Sequence, residues 1–208
     1  MNGGPVWAFV FSLVNPSYRF QKTRLKGRLL RAAFEATAWV LSWPVSAYIV
    51  VHRNRLRGGA RSLEHGQRAL LQLYFDSKDL DRILVVVRDP LPLSEPPLAG
   101  MARRLGLRFP SIALTEAITL ESVIVSRTQM DTALLFHELV HAVQYRLLGV
   151  RGFARRYVLG FLLTQSYVEN PMEGMAFDLT NSFSSGCSPF RVEQRIREGL
   201  GLNRDGGL

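Results

Sequence analysis

Asp131-Thr132-Ala133-Leu134-Leu135-Phe136-His137-Glu138-Leu139-Val140-His141-Ala142-Val143-Gln144-Tyr145-Arg146-Leu147-Leu148 is the stretch from which the rest of the chain can be read. Thr128 and Asp131, three residues apart, offer a helix start, and Gly149 offers a stop, so a helix is expected over 131–148. Its apolar residues run nearly all round the cylinder, from Leu134 through Leu139 and Val143 to Leu148, which marks a buried helix. Inside it sits His137-Glu138-Leu139-Val140-His141. Positions i and i+4 share one face, so both imidazoles reach a single ion at a Zn–N distance of about 2.0–2.1 Å. Glu138 is turned by about 100° from His137. It stands beside the ion without ligating it and can accept a proton from a water that the ion acidifies. Burying His, Glu and His without a partner costs several kcal/mol, which a bound cation offsets. The other reading is a hydrogen-bonded pair of core histidines with a salt-bridged Glu. A chance match of this pattern in a chain of this composition has a probability of about 0.4%, and two of the four histidines fall in it.

A third ligand has to come from elsewhere. His52 and His65 lie upstream in other elements, and the lone Cys187 allows neither a disulfide nor a multi-cysteine site. The downstream carboxylates Glu169, Glu173 and Asp178 are the candidates. Asn170, Pro171 and Glu173 also suit the cap, first-turn proline and third position of a helix, in which Glu173 would close a capping box. Pro171 favours Glu173 over Glu169 as a ligand. Proline starts helices and pushes the residue before it out of the helical region, so Glu173 lies on the helix and Glu169 in the loop before it. Small Ala176 would let that helix approach the histidine helix closely.

Working outward, residues 62–75 have helical spacing. Residues 83–87 read as a buried strand, and 98–105 as a short helix. Residues 112–114, 117–120 and 122–126 read as short strands, and 152–163 as a further helix rich in Arg and aromatic residues. The organisation is α+β. Residues 1–58 form a basic and apolar N-terminal segment, 59–186 the domain with the histidine helix, and 187–208 a polar tail with a short helix at 191–198 stopped by Gly199.

HELVH followed by Asn170-Pro171-x-Glu173-x-x-Ala176 resembles the gluzincin branch of zinc metallopeptidases. The likeness is closest to small bacterial domains of that type with a Gln three residues past the second His, here Gln144. It covers about residues 83–178 and leaves the first 60 residues outside. The resemblance implies a zincin-like fold, with a small β-sheet and an active-site helix carrying HELVH. It implies one Zn²⁺ held by His137, His141 and Glu173, with Glu138 as catalytic base. It further implies a peptide or protein substrate that adds as a strand along an edge at 122–126. No His follows His141, so the third-His pattern of metzincins is absent. Three more residues have candidate roles beside these. Gln144 shares the histidine face, Tyr167 suits an oxyanion donor, and Asp178 suits an orienting partner for a ligand imidazole. Two other functions fit the same residues: a zinc-binding protein without turnover, and a basic membrane-surface or nucleic-acid adaptor in which HELVH is coincidental.

The formal net charge is +9, with clusters at Arg19–Arg31 and Arg53–Arg61 bracketing an apolar run at 32–51. No nucleic-acid module accompanies them, so no nucleic-acid partner is expected. The run has about the twenty residues a membrane span needs, with Trp39 and Trp43 on one face and Glu35 and Pro44 inside. It either enters a membrane or packs on the domain, which places the chain at a membrane or in the cytoplasm. The stretch 6–14 has no basic lead and no small-x-small site after it, so no secretory signal peptide is expected.

Overall fold

In the computed structural model, residues 26–96, 99–100, 112 and 115–202 are described. The helix expected at 98–105 and the strand expected at 112–114 fall largely outside them. The chain is α+β: the described residues form six helices and one four-stranded mixed sheet. In order these are α1 (Lys26–Arg57), β1 (Arg61–Ser62), α2 (His65–Leu71), α3 (Ser77–Arg82), β2 (Leu84–Val87), β3 (Ala117–Leu120), β4 (Val123–Ser126), α4 (Thr132–Thr164), α5 (Pro171–Ser184) and α6 (Val192–Leu200).

The sheet order is β1-β2-β4-β3. β3 and β4 form an antiparallel hairpin, and β2 runs parallel to β4 on its other side, Leu84 opposite Val123. β4 is therefore an inner strand. This corrects the expectation that 122–126 is the edge: the 84–87 segment occupies its far side, and the edge nearest the histidine helix is β3. β2 is half-buried rather than buried. Its outer neighbour β1 pairs only with Leu84 and Val85, which leaves Val87 48% exposed. Ser62 belongs to β1, so the helix expected from 62 begins at His65.

Alternation along the strands divides the core. Val85, Ala117 and Ile124 share one cluster with Leu135, Phe136 and Leu139 of α4. Leu84, Val123 and Val125 share the other with Ile49 of α1 and Phe153 of α4. Phe136 centres an aromatic group, stacked on Phe183 at 4.4 Å and edge-on to Phe75 at 4.9 Å. Residues 187–202, read from sequence as a polar tail, carry α6, and its Val192 and Ile196 are fully buried in the first cluster. That helix runs past Gly199 to a left-handed cap at Gly201.

α4 is two helical stretches joined at Gly149, whose φ of 69° and ψ of 163° are not helical. Glycine carries no Cβ to oppose this geometry, so the helix stops where the sequence places its end and restarts at a new angle. Asp131 caps the start, accepting the Leu134 N–H at 2.8 Å. Thr128 takes no part and donates instead to Glu116.

Candidate functional site

The first stretch of α4 is buried on every side from Leu135 to Tyr145, so His137, Glu138, His141 and Gln144 are all inside the protein. α5 meets it end-on. Asn170 caps α5 by accepting the Met172 N–H at 3.1 Å, while its amide donates to the Tyr157 carbonyl at 3.0 Å. The α5 start is thereby tied to the second stretch of α4. Gly160 permits the approach, since a Cβ there would lie 2.6 Å from the Asn170 side-chain oxygen.

Three ligand-type atoms converge at this junction. Nε2 of His137 and Nε2 of His141 are 3.2 Å apart, and each is 3.3 Å from Oε2 of Glu173. Three corners of a tetrahedron around an ion with bonds of about 2.0–2.1 Å would be separated by about 3.3–3.4 Å. The donor set and its spacing therefore suit one Zn²⁺. Glu169 is exposed in the preceding loop and lies outside this group. Glu173 does not close the capping box, because its carboxylate is turned to the imidazoles and to Tyr157, while the Asn170 N–H bonds within the 165–170 loop, to the Tyr167 carbonyl.

Gln144 orients His141. Its amide nitrogen donates to the Met172 carbonyl at 3.0 Å, which turns Oε1 toward Nδ1 of His141 at 2.9 Å. A carbonyl only accepts, so the amide orientation is set and Nδ1 must carry hydrogen. The electron pair of neutral His141 then points from Nε2 to the centre. Burial opposes charge on His141, but the Glu173 carboxylate and its hydrogen bond, then Glu138 and Gln144, outweigh it and push the imidazole up to about 9. Burial likewise opposes charge on Glu173, yet the two histidines hold it well below the usual carboxylate range. The centre is a seat for positive charge.

Glu138 faces a cavity of about 160 Å³. Thr119 of β3 donates to its Oε2 at 2.7 Å and shares the same hydroxyl with its carbonyl at 3.0 Å. The edge strand thus positions Glu138. His141, Glu173 and Tyr167 line the same cavity, whose remaining wall is apolar, with Val45 and Ile49 of α1, Ile118 and Leu120 of β3, and Phe153 of α4. Burial, then the charge of Glu173, raises the Tyr167 hydroxyl well above the ordinary tyrosine value, so it is a donor at neutral pH.

Two residues were missed by sequence reasoning. Thr119 is one, legible only once strand register shows it facing α4. The other is Tyr157, whose hydroxyl donates to Oε1 of Glu173 at 2.7 Å. Its four-residue spacing from Phe153 and Phe161 was the available signal, but that signal reads as packing. Asp178 is corrected: it lies on the exposed face of α5 and makes no hydrogen bond to either imidazole among the described residues. The ring of Phe177, at 4.8 Å, lies beside His137 in its place. A second acidic group, Asp79 and Glu193, is bridged by the guanidinium of Arg146.

In comparisons with known proteins, no family model matches the chain, and no curated protein or solved structure matches it either.

Proposed function

We propose that the chain is a zinc-dependent metallopeptidase with a zincin-like fold. The observation that carries this reading is the triangle of His137, His141 and Glu173 with Glu138 beside it, facing a cavity lined by β3, an edge strand of the sheet among the described residues. Zinc, when bound by those three residues, supplies Lewis-acid polarisation of the substrate carbonyl. The chain's own groups do the rest. The outer edge of β3 pairs with the substrate backbone and lays it across the cavity. Glu138, fixed by Thr119, takes a proton from the attacking water and delivers it to the leaving nitrogen as the C–N bond breaks. Tyr167 donates to the carbonyl oxygen as it gains charge. The apolar wall accepts a neighbouring apolar side chain. Peptide-library hydrolysis by zinc-loaded protein, abolished by chelator and restored by zinc, tests the reading. A full complement of zinc with no hydrolysis would favour the non-catalytic alternative.

The ligand assignment has its own test. Glu173→Ala is expected to weaken zinc binding severely in titrations against a competing chelator, and Glu169→Ala to leave it unchanged. Loss confined to Glu169→Ala would move the ligand into the loop. Tyr157→Phe removes one hydrogen bond from the far oxygen of Glu173 while keeping the ring. Loss of such an outer partner costs about 10–100-fold in metal affinity. The same titration checks it, with thermal unfolding in chelator showing that the fold is kept.

Among the described residues, α1 holds the one stretch, Leu29–Arg57, long and apolar enough to cross a membrane. We place the chain at a membrane on that ground.

A further inference from the structure

α1 has two unlike faces. Ala38, Ser42, Ile49 and His52, at helical spacing, are buried against the domain. The opposite face carries a stripe from Leu29 through Ala33, Ala36, Val40 and Trp43 to Val51, and all of it is exposed. Leu29 is 79%, Val40 58% and Trp43 54% exposed. At 1.5 Å per residue the stripe is about 33 Å long. An uncharged surface of this length on one helix marks a contact with something apolar.

The charges around the stripe indicate what that is. Arg31 stands near one end, and Arg53, Arg55 and Arg57 at the other. Glu35 is the only acid on the helix and is paired with Arg31 at 3.1 Å. Arg151 of α4 lies 3.7 Å over the ring of Trp43 and 5.2 Å from that of Trp39. A second copy packed on this stripe, in either direction, would set basic ends against basic ends. An anionic lipid surface matches both the apolar stripe and its basic rim, and tryptophans favour that depth.

Crossing the bilayer is a different placement, and the contacts of the C-terminal half of α1 oppose it. Tyr48 donates to the Ser94 carbonyl, Arg53 pairs with Glu121 of the β3–β4 turn, and Arg151 bonds to Ser42. A spanning α1 would carry these charged groups into hydrocarbon.

We propose that α1 lies flat in the interface of an anionic membrane with this stripe in the lipid. The other face of the same helix supplies Val45 and Ile49 to the cavity wall. The cavity therefore sits about one helix diameter, some 10 Å, from the lipid, and polypeptide segments held at the membrane surface are the ones that reach it. The docking itself does not depend on the metal.

The test uses the full chain with Trp7→Phe, so that Trp39 and Trp43 report alone. It is mixed with phosphatidylcholine vesicles, with or without phosphatidylglycerol. The expected result is co-sedimentation with the anionic vesicles, weakened by salt, and stronger tryptophan quenching by bromines placed near the headgroups than by bromines deep in the chains. Val40→Glu with Trp43→Glu should reduce binding by on the order of 100-fold and leave thermal unfolding and metal content unchanged. Stronger quenching by the deep bromines would overturn the proposal in favour of a span. A dimer that ignores both vesicles would assign the stripe to a second copy, and undiminished binding of the double variant would show that the stripe is not the contact.

Discussion

His137→Ala is expected to abolish stoichiometric zinc binding and, with it, the stabilisation that zinc gives. His137 supplies one of three atoms in a triangle with 3.2–3.3 Å sides, all from residues at least nine-tenths buried. Alanine removes one of the three candidate ligand atoms. Zinc that binds only the folded chain, at 100 times its dissociation constant, contributes about 2.7 kcal/mol. For a domain of this size that is roughly 5–10 °C in melting temperature. Wild-type protein should therefore melt that much higher with zinc than with chelator, and His137→Ala should melt at one temperature in both. A variant that kept the zinc-dependent rise would show that the ion sits elsewhere. His141→Ala should behave in the same way, and it also strands the Gln144 side chain that now accepts from Nδ1.

Glu138→Gln is expected to lower peptide hydrolysis by on the order of 10²–10⁴ while zinc content stays at wild-type level. Glutamine is nearly isosteric and still offers Thr119 an acceptor oxygen, so the strand-to-helix contact survives. It cannot take the proton of the attacking water. Hydrolysis at the wild-type rate by this variant, on any peptide the parent cleaves, would remove Glu138 from the mechanism and leave the metal ligands as they are.

What was legible in the sequence is what depends on short-range geometry. The four-residue spacing of His137 and His141 needs only a helix, and the apolar surround of that helix implies burial. Asn170-Pro171 marks a helix start, which sets Glu173 in the first turn and Glu169 outside it. Gly149 breaks α4 where a positive φ is required. What was not legible depends on contacts far apart in the chain. Strand order is one case: nothing in the 84–87 run says that it lies against β4 and turns that strand from edge to interior. Thr119 and Tyr157 are others. Each reads as an ordinary strand or helix residue until the fold brings it to Glu138 or Glu173, 19 and 16 residues away. Asp178 fails for a local reason. It is five residues past Glu173, roughly 140° round the helix, and so points to solvent while Phe177 takes the inner position.

The proposed peptidase chemistry requires that His137, His141 and Glu173 hold one zinc ion. Elemental analysis of the full chain, purified without chelators and then again after refolding with zinc and desalting, tests it most directly. About one zinc per chain is expected in the wild type, and none in His137→Ala carried through the same steps. Wild-type protein that is folded yet holds no stoichiometric transition metal after refolding in zinc would contradict it.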